Sequence, residues 1–229
     1  MNHWKNLFVA NWREAIANRR FTVYYIINLL VCYALYMYVV RVLVENRFAG
    51  GPVLRDMFQQ HLTPRDFSIP IFALTYSCII AYIIYVLPRP VYFYYAARAF
   101  LAVFLLRAFF IHLVPLSPPP GFLFLNDPFL DWIVGDNHEI MNDLFFSGHV
   151  ADVCIFIFCC HHRGLKAFMV VSTIVVAVLI TWQRVHYSAD VIGAPFFAYG
   201  SYRLFAAGRL QQSIEEVVQK PWKNFLSTE

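Results

Sequence analysis

Six stretches of this chain are apolar for long enough to cross a lipid bilayer: Phe21 to Leu43, Ile69 to Leu87, Val91 to Val114, Leu144 to Cys160, Leu165 to Trp182 and Tyr187 to Phe205. A helix needs about 17–25 such residues to traverse the hydrocarbon layer. Within lipid every backbone N–H and C=O must be paired internally, so only helices or closed barrels can span it. A barrel would alternate polar and apolar residues. These blocks do not alternate, so the expectation is an all-α, polytopic membrane protein with six transmembrane helices. The fourth stretch opens with Ser147, Gly148 and His149, and the sixth contains Asp190 and Pro195. Polar residues so placed within spans need a reason.

Composition supports the membrane reading and excludes two others. Of the 229 residues, 60% are hydrophobic and 14% charged, against about 45–50% and about 25% in soluble domains. Neither a disordered chain nor an ordinary soluble domain fits. The net charge of +4 is spread without a lysine or arginine cluster, so no nucleic-acid partner is expected. The five cysteines, Cys32, Cys78, Cys154, Cys159 and Cys160, lie within or at the end of apolar runs and read as packing residues. Residues 1–20 are too polar for the core of a signal peptide and read as an interfacial helix. The membrane domain then covers 21–206, and 207–229 form a cytoplasmic tail. No repeat or second domain is evident.

Basic residues in cytoplasmic loops set the orientation of such a chain. With the N-terminus inside, that side holds Lys5, Arg13, Arg19, Arg20, Arg89, Arg163, Lys166, Arg203, Arg209, Lys220 and Lys223. The other side holds Arg41, Arg47, Arg55, Arg65 and Arg184, while Arg98 and Arg107 fall inside the third run. Segment 115–143 has five acidic residues and no Lys or Arg. Both termini are therefore expected in the cytoplasm, with that segment outside.

Under this topology three features reach the extracytoplasmic side together: Arg107, the stretch NDLFFSGH from Asn142 to His149, and RVHYSAD from Arg184 to Asp190. Ser147, Gly148 and His149 at a helix start can offer backbone N–H groups to a phosphate. His186 and Asp190 are spaced i, i+4, so a helix places them on one face, where the carboxylate can orient the imidazole and stabilise its cation. Charges within spans are costly, about 2.5–3.5 kcal/mol each on insertion scales, and usually line a polar interior. Arg98, Arg107 and Asp152 are such charges. Taken singly, each histidine also suits a plain interfacial side chain, and the charges a structural ion pair.

An SGH at one helix start with an HYSAD of the form H-Y-[ST]-x-D on a later helix resembles the type 2 phosphatidic acid phosphatase superfamily, specifically its sphingomyelin synthase-like branch. Asp143 precedes His149 by six residues, as in that branch, with Phe145 and Phe146 in the intervening aromatic positions. His138 falls where some members carry a histidine. Arg107 running into LVPLSPPPG is similar to the branch's arginine-bearing helix and proline-rich loop. The resemblance covers roughly 107–205. Asn142, Val150, Pro195 and Phe196 depart from the usual residues. The phosphatase branch's Lys-x₆-Arg-Pro motif is missing, and Leu179 and Ile180 replace its Ser-Arg pair. The missing phosphatase motifs weaken the hydrolase reading more than the transferase one, while the other departures and the small size leave hydrolysis open.

The resemblance implies that His186 attacks phosphorus, Asp190 orients it, and His149 protonates the leaving lipid and then activates the acceptor. Arg107 and Arg184 are candidates for a phosphate clamp, Asp143 for tuning His149 or binding the acceptor, and Ser147 and Gly148 for substrate contact. No cofactor and no metal are called for. The donor would be a phospholipid or lipid phosphate, and the acceptor ceramide, diacylglycerol or, in a phosphatase, water. A transporter using the buried charges is a third reading, but a pathway needs polar residues at several depths and these gather near one face.

Overall fold

The computed structural model describes residues 2–45, 51–126 and 144–205. Asp143, His138, most of the acidic segment and the 207–229 tail lie outside these. Among the described residues the chain is all-helical, with seven helices and no strand: α1 (Asn2–Ala17), α2 (Arg19–Glu45), α3 (Ser68–Val86), α4 (Pro90–Leu113), α5 (Gly148–Cys159), α6 (Arg163–Trp182) and α7 (Ser188–Phe205). A 3-10 turn, Gln59–His61, interrupts the loop before α3. Helices α2, α3, α4 and α6 are long and apolar enough to cross a membrane, the mark of an integral membrane protein.

The other two predicted runs form helices that fall short of that mark. The fourth was expected to be helical from Leu144, but α5 begins at Gly148 and has 12 residues, about 18 Å of rise. Residues 144–147 are instead spent on the site described below. Helix α7 has 18 residues, interrupted in composition by Asp190, Pro195 and Arg203.

Local chemistry explains the helix ends. Asp66 Oδ1 accepts from the Ser68 N–H at 2.8 Å and starts α3. Pro88 stands beyond its end, and Pro90 occupies the first turn of α4, where a missing N–H costs nothing. His162 Nδ1 accepts from the Leu165 N–H at 3.1 Å and caps α6. His161 stacks on Tyr92 with ring centroids 5.1 Å apart. Both histidines therefore have structural duties.

Helix α4 packs against α2 and α7, α5 against α7 and α6, and α3 against α6. The core lies among α3 to α7. Tyr82 of α3 stacks on Phe156 of α5 at 4.4 Å, and Phe146 on Phe197 of α7 at 4.5 Å. Cys78, Cys154, Cys159 and Cys160 are buried and Cys32 half-buried, with no disulfide, as packing residues should be. The outer surface carries Ile27, Leu30, Val171, Ile174, Val178 and Phe196, side chains suited to contact with lipid. Helix α1 is fastened to the α3–α4 turn: Asn11 Nδ2 donates to the Pro88 carbonyl and Trp12 Nε1 to the Leu87 carbonyl, both at 2.7 Å.

Candidate active site

Hydrogen bonds gather the loops at 51–67, 115–126, 144–147 and 181–190 at the other end of the bundle. Phe145 and Phe146 hold residues 144–147 there by packing edge-on against Phe110 of α4 and onto Phe197 of α7. The Ser147 N–H then donates to the Asp190 backbone carbonyl at 3.2 Å. This contact seats the start of α5 against the first turn of α7, and the SGH and HYSAD stretches meet.

His186 is 4% exposed. Its Nδ1 lies 2.9 Å from the Leu144 carbonyl oxygen. A carbonyl can only accept, so Nδ1 carries the proton and Nε2 keeps its lone pair in the neutral ring. Asp190 Oδ2 sits 3.6 Å from the same Nδ1 and accepts the Tyr187 N–H at 2.9 Å. The Asp190 carboxyl is thus a second oxygen neighbour of the ring nitrogen, while Leu144 supplies the hydrogen bond that sets the tautomer. Asp190 is wholly buried behind the histidine. The sequence named the right pair, but no helix face carries both: His186 lies in the turn before α7, which starts at Ser188, and that turn brings it onto Asp190. Nothing in the sequence marked Leu144.

Arg107, 7% exposed, lies against the opening of α5. A Cβ added at Gly148 would come within 2.7 Å of Arg107 Cζ, so glycine is what admits the guanidinium. Two sources of positive potential, the guanidinium and the helix N-terminus, therefore coincide at the start of α5. The Ser147 hydroxyl beside them is fully buried with no hydrogen-bond partner among the described residues, a feature native proteins seldom leave without a use. His149 stands in the same first turn, its ring 5.6 Å from Phe72.

Arg184 has a different duty from the phosphate clamp expected of it. Val185 N–H bonds back to Ile180 and Arg184 N–H to Thr181, both at 3.1 Å. That pair closes α6 with a Schellman turn, whose left-handed residue is usually glycine. Here it is Arg184, at φ 63°, a conformation that costs an ordinary side chain about 1–2 kcal/mol. The guanidinium explains the choice: Nη1 donates to the Pro120 carbonyl, and Nη2 to those of Gln59 at 2.9 Å and Leu62 at 3.0 Å. Gly121, at φ +77°, leaves room for it, since a Cβ there would lie 2.9 Å from Arg184 Nη1. Arg184 binds loops together, and its buried Nε has no partner among the described residues.

Sequence reasoning missed several members of this network. Gln183, fully buried, donates from Nε2 to Ser68 Oγ and the Phe124 carbonyl and accepts the Phe67 N–H. Tyr187 donates from its hydroxyl to the Ser117 carbonyl at 2.8 Å. Asp56 accepts the Ser188 N–H at 2.6 Å and the Ser188 hydroxyl at 3.0 Å, capping α7 from a distant loop. Burial pushes the Asp56 carboxyl up, but donations from Ser188, Gln59 and Phe58 outweigh it and hold the group below its ordinary 3.8. Compared with known proteins, the chain matches no family model and no curated protein.

Proposed function

We propose that this chain is a lipid phosphotransferase that works through a phosphohistidine on an extracytoplasmic site, with six spans and both termini in the cytoplasm. The observation that carries the reading is the setting of His186: Nδ1–H held by the Leu144 carbonyl, Asp190 behind it, and an anion-attracting helix start beside it.

His186 Nε2 attacks phosphorus, forming a P–N bond as the bond from phosphorus to the leaving lipid oxygen breaks. The imidazole becomes cationic, and the Asp190 carboxylate stabilises it. His149 gives its proton to the departing alkoxide, help of a kind worth about 10²–10⁴-fold. Arg107 and the N–H groups at Gly148 and His149 receive the non-bridging oxygens, whose charge grows in the transition state. An acceptor hydroxyl then loses its proton to His149 and attacks phosphorus. The P–N bond breaks, and both histidines return to their starting states.

With ceramide or diacylglycerol as acceptor the enzyme transfers; with water it is a lipid phosphate phosphatase using the same residues. Purified protein incubated with labelled phospholipid, with and without each acceptor, separates these. Label in a new lipid only when an acceptor is present supports transfer, water-soluble phosphate supports hydrolysis, and no turnover of any lipid leaves the transporter reading in its place. For topology, a cysteine placed at Leu130 should react with impermeant reagent only from outside.

A further inference from the structure

The loop that precedes α3 carries no motif, yet it touches the backbone of the proposed nucleophile. Gln59 is 4% exposed. Its Nε2 donates to the His186 carbonyl at 2.8 Å and to the Thr181 carbonyl at 3.2 Å, so one amide spans both ends of the α6–α7 turn. Arg184, in the middle of that turn, donates back to the Gln59 carbonyl at 2.9 Å. Three residues earlier, Asp56 accepts from the Ser188 N–H and hydroxyl and from the N–H groups of Phe58 and Gln59. The neighbours on the same turn, Met57, Phe58 and Gln60, point outward and are exposed.

We infer that Gln59, supported by Asp56, is a positioning residue for His186. The inference rests on the phosphotransferase reading only for its effect on rate. The imidazole is held at one point by Leu144 and Asp190, which act on the ring. Gln59 acts on the main chain that carries the ring. Two residues on either side of His186 are thus pinned: Arg184 by its own guanidinium bonds, and Ser188 by Asp56. Without the Gln59 amide the buried His186 carbonyl loses its donor, while the Thr181 carbonyl keeps the Arg184 N–H, and the turn must shift to satisfy His186. A displacement of about 1 Å at a reacting group can cost about 10²-fold in rate.

The test uses the full chain in nanodiscs and compares Gln59→Leu, Asp56→Asn and the exposed control Met57→Leu. Single-turnover labelling with ³²P-phosphatidic acid and ³²P-phosphatidylcholine gives the rate of phosphoenzyme formation. Nitrogen-15 histidine spectra, with His186 assigned by its loss in His186→Ala, report the ring's tautomer directly. Expected are a drop of about 10- to 10²-fold in labelling rate for Gln59→Leu, a lipid KM within about twofold of the parent, and loss of the single Nδ1–H tautomer. Met57→Leu should match the parent in all three. A folded Gln59→Leu protein with the parent's tautomer and labelling rate overturns the inference, as does a KM that worsens in step with the rate. Should Gln59→Leu fail to fold, Asp56→Asn decides by the same readouts. If the parent itself takes label from neither lipid, the phosphotransfer reading falls, while the tautomer comparison still decides whether Gln59 positions His186.

Discussion

At the end of the bundle away from the candidate site, the connections are short and largely self-sufficient. Residues 87–89 and 160–162 join their helices through a proline, a histidine cap and Arg89, which donates to the Tyr85 carbonyl four residues back and lies over the Tyr85 ring. At the site end the loops are long, and remote side chains hold them: Gln59 reaches His186, Asp56 reaches Ser188, and Arg184 reaches Pro120. Short turns take much of their shape from their own residues, with Asn11, Trp12 and Tyr85 adding single bonds from elsewhere. Long loops acquire a shape only by bonding to distant chain, which is also how they bring reactive groups from several helices to one place. Damage at the first end should therefore lower stability alone, and damage at the second should reach turnover.

The largest contrast comes from His186→Ala, which should abolish phosphoenzyme and lower turnover by about 10³-fold or more. His149→Ala should still accumulate some intermediate from substrates whose leaving group needs little protonation. Normal labelling of His186→Ala in acid-quench trapping would reverse the assignment.

Next is Asp190→Asn, expected to lower kcat by about 10- to 10²-fold with KM unchanged. That is less than the roughly 10⁴-fold seen where an aspartate alone sets a histidine's tautomer, because the Leu144 carbonyl still holds Nδ1–H and asparagine can still accept from Tyr187. A folded variant with parental turnover would make the pair a structural contact. Arg107→Lys keeps the charge but not the planar fork, so kcat and KM should each worsen by about tenfold.

Asp56→Asn bears on stability as well. Its carboxyl titrates below 3.8 in the folded chain, so its stabilising effect is complete above the unfolded-state value and is lost as pH falls through the lower folded one. The variant should melt a few degrees below the parent at neutral pH, consistent with about 1 kcal/mol for a helix cap. That gap should narrow as pH falls below 3.8 and through the lower folded-state value; thermal melts from neutral to strongly acidic pH would show a constant gap if the carboxylate were not responsible.

Smallest is the opposite end. Asn11→Ala and Trp12→Phe each remove one hydrogen bond to the α3–α4 turn, worth about 1 kcal/mol. Melting should fall by about 2–4 °C, with turnover within about twofold of the parent. A larger loss of turnover from either would erase the distinction between the two ends.

Hydrophobic run length alone was enough to locate α2, α3, α4 and α6 to within about two residues, because a membrane-length helix satisfies its own backbone and needs no partner to declare itself. The i, i+4 spacing named Asp190 as the partner of His186, but the contact is made from the turn before α7 and not from a shared helix face, since the helix starts only at Ser188. The boundary of α5 was beyond such reasoning: residues 144–147 are apolar enough to continue a helix, and only their packing on Phe110 and Phe197 draws them out of it. The roles of Leu144, Gln59, Asp56 and Arg184 were equally out of reach. A backbone carbonyl leaves no trace in residue type, Gln59 reads no differently from the exposed Gln60 beside it, and an arginine next to a histidine suggests a phosphate ligand as readily as a loop clasp. Which of these holds depends on where chain 42 to 132 residues away comes to lie, and that is decided only when the helices pack.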